Sequence, residues 1–267
     1  MPSRALPRTN YEVSGIEAAE AAVHLALTHT RRRFVITFSS SFHGNSLATK
    51  LLSGLDGKKA TYLEGWGGGA IKAPYPYSEQ IPAGMSEDQY TDYCLLYLDN
   101  HIPSCIAAQD NIAGIFVEPG LSEGGNWIPS TKFIRGIRDI CDRNDWLMIA
   151  DEVLTGLGRT GEMWGREHFY VVPDILVYSK NLSGGVAPLC GISARDEIMC
   201  DNTVFSSGST FAGTLAVRQR SGRCRFMNGT TSWQTPGASE PSPRKSWADG
   251  RTTASSGRRV ATGFCSA

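Results

Sequence analysis

Apolar residues along this chain gather into short, dense runs rather than spreading evenly. Positions 34–38, 112–117, 146–150, 174–178 and 189–194 are each five or six residues long and rich in aliphatic, β-branched or aromatic side chains. Runs of this length read as strands buried on both faces of a sheet. Helical patterns lie between them. Positions 14–27 are dominated by Ala and Glu, with Ser14 and Glu17 at capping-box spacing. A short helix is expected over 46–52 and a longer one over 86–100. Ser130 can cap a helix that puts Phe133, Ile134, Ile137, Ile140 and Cys141 on one face. Strands alternating with helices predict an α/β domain with a mainly parallel sheet. Positions 1–12 read as an irregular lead-in. Positions 53–85, with Gly67-Gly68-Gly69 and Pro74-Tyr75-Pro76, read as a long irregular connection.

Composition changes this picture mainly at the end of the chain. With 267 residues, 41% of them apolar and 19% charged, the protein has an ordinary globular composition and can bury a core. A net charge of +0 gives no electrostatic reason to expect nucleic acid or an anionic membrane as a partner. No apolar run approaches membrane-spanning length, and the first residues lack the apolar core of a secretory signal. Seven cysteines are scattered without a C-x-x-C pair, which points to reduced thiols in a cytoplasmic setting. From Arg218 onward nine basic residues face only Glu240 and Asp249, a balance of +7, so the preceding part carries −7. Periodicity stops at the same place, after Val217. Positions 218–267, rich in Gly, Ser, Thr and Arg, are expected to be disordered. They are either a native basic tail or the product of a coding change. The expected organisation is therefore a lead-in over 1–12, a large domain over 13–217 and a tail over 218–267.

Two predicted strands deliver a charged residue to their carboxyl ends: Asp151 closes one and Lys180 follows the other. In open α/β sheets, ligands bind outside those ends. A carboxylate and an amine together there suggest pyridoxal phosphate, the lysine forming a Schiff base and the aspartate pairing with the pyridinium nitrogen. Gly156-Leu157-Gly158-Arg159-Thr160-Gly161 also spells G-x-G-x-x-G. It follows its strand only after several residues, opens no helix, and has no strand-end acid at the right distance, so a nicotinamide site is rejected.

Asp151 and Lys180 belong to a longer array. Asp151-Glu152-Val153-Leu154-Thr155-Gly156-Leu157-Gly158-Arg159-Thr160-Gly161 is followed by Pro173-Asp174-Ile175 and Ser179-Lys180. Ser14-Gly15-Ile16, Phe42-His43-Gly44, Val117-Glu118-Pro119 and Ser122-Glu123-Gly124-Gly125 precede it. Together, residues 13–217 resemble the class III (ω-amino acid) aminotransferases, a pyridoxal-phosphate-dependent family of fold type I. The resemblance implies the large domain of that fold. It implies transfer of an amino group from an amino acid or amine to a keto acid or aldehyde. Racemisation and decarboxylation occur on the same scaffold.

The resemblance also assigns roles. Lys180 would carry the Schiff base and afterwards move the substrate Cα proton, while Asp151 keeps the ring nitrogen protonated. Val153 would pack on one ring face and Phe42 on the other. Glu118 and Glu123 match two acidic positions that line the family's site. Ser14, Gly15 and Ile16 match its phosphate-binding turn at a helix N-terminus. Thr210 matches a threonine that reaches the phosphate of a neighbouring subunit, which implies a homodimer. His43 falls beside Phe42 and reads as a turn residue at the cofactor, without an acid or nucleophile near it in the sequence.

Several positions depart from the family pattern. Ile16 replaces a small hydroxyl residue, Leu154 stands where a glutamine is common, and Asn181 stands where glycine is common. The phosphate turn begins unusually early, at Ser14. After Val217 nothing matches the small domain, which carries the arginine for the substrate carboxylate, so that domain is expected to be absent or incomplete. A second reading therefore stands beside the first: a truncated, catalytically incompetent remnant that at most binds pyridoxal phosphate or dimerises.

Overall fold

A computed structural model of the protein describes residues 5–55, 68–185, 187–200 and 208–212. The expected tail over 218–267 and the boundary at Val217 lie outside the described residues. The strands are β1 Arg8–Glu12, β2 Phe34–Phe38, β3 Ala70–Ala73, β4 Ile112–Val117, β5 Leu147–Asp151, β6 Ile175–Tyr178 and β7 Cys190–Ala194. Among the described residues they form one seven-stranded sheet in the order β1-β7-β6-β5-β4-β2-β3. From β3 across to β6 every pairing is parallel, whereas β7 runs antiparallel to both β6 and β1. The sheet is thus mainly parallel, as the unbroken apolar runs predict.

Helices cover both faces. They are α1 Gly15–Thr30, α2 Leu47–Leu52, α3 Glu87–Leu96, α4 Ile102–Cys105, α5 Thr131–Asn144 and α6 Asp196–Met199. Successive residues of a strand point to opposite faces, as Ile115, Phe116 and Val117 of β4 do, while a register shift opposite Phe34 and Val35 offsets Ile112 and Ala113 from that alternation. Ile112, Ile115 and Val117 join the cluster under α5, which includes Phe133, Ile134 and Ile137. Ala113 and Phe116 join the opposite cluster under α1. The buried stripe of α1 is almost entirely alanine, with Leu25 the exception, so this helix lies close against the sheet. Ser130 caps α5 as its sequence predicts, accepting a bond from the Phe133 N–H at 3.3 Å, and the five residues expected on its apolar face are the buried ones.

Four expectations need correction. The lead-in is not irregular: Arg8–Glu12 pairs along its whole length with β7. Its sequence, RTNYE, has no apolar run, and the pairing comes from the antiparallel partner rather than from local preference. The connection over 53–85 contains β3, a four-residue edge strand beside β2. The helix expected to stop at Asn100 continues through a π turn, Tyr97–His101, into α4. Pro103 does not break it, because it falls in the first turn of α4, where a missing N–H is tolerated. The capping box of α1 is also only half formed. Ser14 Oγ accepts from Glu17 N at 3.2 Å, but the Glu17 carboxylate bonds Val13 N rather than Ser14 N.

Candidate functional site

Four strands end at the same edge of the sheet. β2 runs into Phe42 and His43, β4 into Glu118, β5 into Asp151, and β6 into the single turn Lys180–Leu182. The amino end of α1 arrives at the same edge. At Gly15 there is no side chain, and a Cβ there would touch Ser179 at 3.4 Å and Val153 at 3.6 Å. These elements enclose a cavity of about 260 Å³ whose walls include Ser14, Ile16, Phe42, Glu118, Asp151 and Lys180. Gly15, His43 and Val153 line it too, as do Gly44, Ser122, Leu154 and Ser179.

Asp151 is the most constrained residue in this cavity. It is the last residue of β5 and is 5% exposed. One carboxylate oxygen accepts the Val153 N–H at 3.0 Å. The other lies 2.7 Å from Nδ1 of buried His43. An ionised carboxylate only accepts, so Nδ1 carries the shared proton. The imidazole stacks on Phe116, with centroids 4.2 Å apart and planes 14° from parallel, and the backbone N–H of His43 donates to Ser53 Oγ at 2.9 Å. Nε2 is buried without a hydrogen-bond partner among the described residues. His43 is therefore not an isolated turn residue. Its acid is Asp151, 108 positions away in the chain, and no local sequence signal could have joined them.

Glu118 forms the second buried carboxylate. Its oxygens accept from Phe42 N at 2.8 Å and from Ser122 N and Oγ, both at 3.3 Å. Burial pushes its carboxyl up to about 7, with Asp151 adding to the rise and His43 and the backbone N–H groups opposing it. Ser122 was not singled out from sequence, although it holds this carboxylate. Lys180 is exposed, at a backbone φ of +40°, in the left-handed region.

Two expected residues lie elsewhere. Glu123 is exposed and is not part of the cavity wall. Thr210 is also exposed and lines a different hollow of about 550 Å³ with Glu12, Glu17, Glu20 and His24, on the outer side of α1. The Gly156–Gly161 run consists of turns and opens no helix.

The comparisons with known proteins agree with this geometry. The family model for class III aminotransferases matches residues 7–217. The chain belongs to that family, a pyridoxal-phosphate-dependent group of fold type I architecture. Among curated relatives, a probable 4-aminobutyrate aminotransferase of Bacillus subtilis is 36% identical over 204 residues, covering 75% of this chain and 46% of the relative. A leucine/methionine racemase of Thermococcus litoralis is 31% identical, covering 72% of this chain and 43% of its own length. Among solved structures, the taurine:2-oxoglutarate aminotransferase of Bifidobacterium kashiwanohense, in complex with PLP and glutamate, superposes with a TM-score of 0.78 at 27% identity. That match covers 85% of this chain and 52% of the other. The chain thus spans about half the length of the relatives it matches.

The donor set suits pyridoxal phosphate. The cavity, at about 260 Å³, is slightly smaller than the usual range for small-molecule sites, about 300–1,000 Å³. It combines a fixed carboxylate, an amine, apolar walls and a helix amino terminus.

Proposed function

We propose that this chain binds pyridoxal phosphate in the Asp151–Lys180 cavity and serves a reaction that moves an amino group from an amino acid or amine to a keto acid or aldehyde. The observation that carries this reading is the placement of Asp151 and Lys180 at the ends of adjacent parallel strands, lining one cavity, with Asp151 fixed by His43. When bound, the cofactor supplies an aldehyde that condenses with amines and a ring that draws electrons from the carbon bearing the nitrogen.

The chain's own residues divide the remaining work. Asp151 holds a proton on the ring nitrogen. His43, donating from Nδ1, keeps the carboxylate aimed, and its stack on Phe116 keeps the imidazole from turning. Lys180 Nζ is the nucleophile toward the aldehyde and, once released, the base for the donor's Cα proton. Phe42 and Val153 supply apolar faces for the ring, and Glu118 fixes Phe42 through its N–H. The first turn of α1, from Ser14 through Gly15 to Ile16, offers N–H groups and a positive field to the phosphate. Ile16 adds no hydroxyl. Thr210, on the outer side of α1, serves the phosphate of a second copy in this reading, which makes the working unit a homodimer. Glu123 is assigned to the substrate rather than to the cofactor. The setting is cytoplasmic, in keeping with five free cysteines among the described residues.

Absorbance spectroscopy tests the proposal. Mixing the protein with pyridoxal phosphate should give a visible band that Lys180→Ala abolishes, and adding an amino donor should bleach it. A band that persists unchanged in Lys180→Ala would overturn the assignment. A lysine-dependent band that responds to no amine would instead favour the cofactor-holding remnant.

A further inference from the structure

Lys180 occupies a backbone conformation that a residue with a side chain rarely adopts, φ +40°. The turn that carries it, Lys180–Leu182, has no side-chain cap at Ser179. Its internal backbone bond runs from Leu182 N to Ser179 O at 2.9 Å. One such bond leaves the conformation at Lys180 weakly determined, because strained backbone persists only where its surroundings over-determine it.

Asn181 supplies a further tether. Its side-chain Nδ2 donates to the carbonyl of Leu157 at 3.1 Å, 24 residues back along the chain. The receiving carbonyl is itself held firmly. Leu157 is left-handed at φ +60°, its N–H donates to Met163 O at 2.6 Å, and its side chain is 5% exposed. The loop that carries it folds around buried Glu152. That carboxylate accepts from Gly165 N at 2.9 Å and Arg166 N at 2.7 Å, and also from Thr155 Oγ1. Leu182, at the end of the lysine's turn, packs into the same apolar cluster as Leu157, Trp164 and Tyr178. Lys180 is therefore flanked by a residue anchored in that cluster and by a polar tether to the loop beside it.

We propose that Asn181 is a positioning residue: by tying the turn to the Leu157 carbonyl, it holds Lys180 in the left-handed conformation that presents its amine to the Asp151 cavity. The inference rests on the reading of Lys180 as the reactive amine. Loss of the amide leaves the turn free to relax toward an ordinary φ, which changes the amine's surroundings without removing any part of the core.

The test uses the full chain and two readouts that a purely structural role would not move. In the protein without cofactor, the rate at which an amine-acylating reagent modifies Lys180 is followed by mass spectrometry across a pH series. In the protein with pyridoxal phosphate, the pH profile of the visible band is recorded. Asn181→Ala should change Lys180 labelling by about three- to tenfold, the range expected for one hydrogen bond, and should displace the band's pH midpoint in step. Asn181→Gln, which keeps a donor, should lie closer to the unmodified protein. Unchanged labelling and an unchanged profile in Asn181→Ala would overturn the proposal, whether or not the urea midpoint falls. Should that variant fold poorly, Asn181→Ser carries the same comparison. Lys180→Ala separates the two readings. If it retains the band, the cofactor assignment fails. If it loses the band while Asn181→Ala behaves normally, only the role of Asn181 fails.

Discussion

Glu118→Gln isolates the electrostatic cost of the buried carboxylate pair. Glu118 is 4% exposed. In an unfolded chain a glutamate titrates near 4.5, but in the fold burial and neighbouring Asp151 push it up to about 7 against the opposing pull of His43 and the N–H donors. An acid whose folded value is raised destabilises the fold wherever it is ionised. Below the unfolded value both states carry the proton and no penalty exists. The penalty grows as pH rises from 4.5 toward 7 and is complete above that range. The gap corresponds to about 3 kcal/mol.

Glutamine carries no charge, so the variant lacks this pH-dependent term. It does alter the hydrogen bonds. Its carbonyl can keep the Phe42 bond, while its amide faces Ser122, whose hydroxyl can turn to accept but whose N–H loses an acceptor. That loss costs about 1–2 kcal/mol at every pH, so it cancels when two pH values are compared. Urea unfolding of both proteins without cofactor, at about pH 5 and about pH 8, reads the remainder. Relative to the unmodified protein, Glu118→Gln should gain up to about 3 kcal/mol on going to the higher pH. A difference constant to within about 0.5 kcal/mol would refute the raised titration of Glu118.

Other perturbations address the scaffold. Gly114→Ala places a Cβ 2.2 Å from the Leu147 carbonyl in the centre of the sheet; it should leave most of the protein insoluble on expression, and a soluble variant with unchanged urea midpoint would contradict the close approach of β4 and β5. Phe133→Ala empties the contact that this ring makes with Phe38 and Tyr75 at centroid distances of 5.6 and 5.0 Å and should cost about 3–5 kcal/mol in urea unfolding. Ser130→Ala removes the α5 cap and should cost about 1 kcal/mol by the same measurement.

Much of the fold was legible because its strands are local, unbroken apolar runs and its longest amphipathic helix has both a cap and a clear face. β4 and β5 needed nothing from the rest of the chain to be recognised. β1 and β3 were hidden for the opposite reason. RTNYE becomes a strand because β7 offers an unpaired edge, and AIKA because β2 does. The continuation of α3 past Asn100 runs through a π turn into a segment with Pro103 in its first turn, a position where a proline is tolerated.

The site divides along the same line. Asp151 and Lys180 were legible because each terminates a recognisable strand and parallel topology gathers such ends at one edge. His43 and Ser122 were not, because their roles are contacts made across the sheet. His43 becomes a partner of Asp151 only when β2 and β5 bring their ends together across β4, the strand whose Phe116 supports the imidazole. The same ordering places Glu118, at the end of β4, where it can take the N–H of Phe42 at the end of the β2 loop. Two groups proposed to touch the ring, Asp151 and Phe42, are thus each held by a residue from a different strand end. A change in register of β2, β4 or β5 would misplace two functional groups rather than one. The precision of the cavity is therefore a property of the sheet, and residues that never touch the cofactor should be the ones that set it.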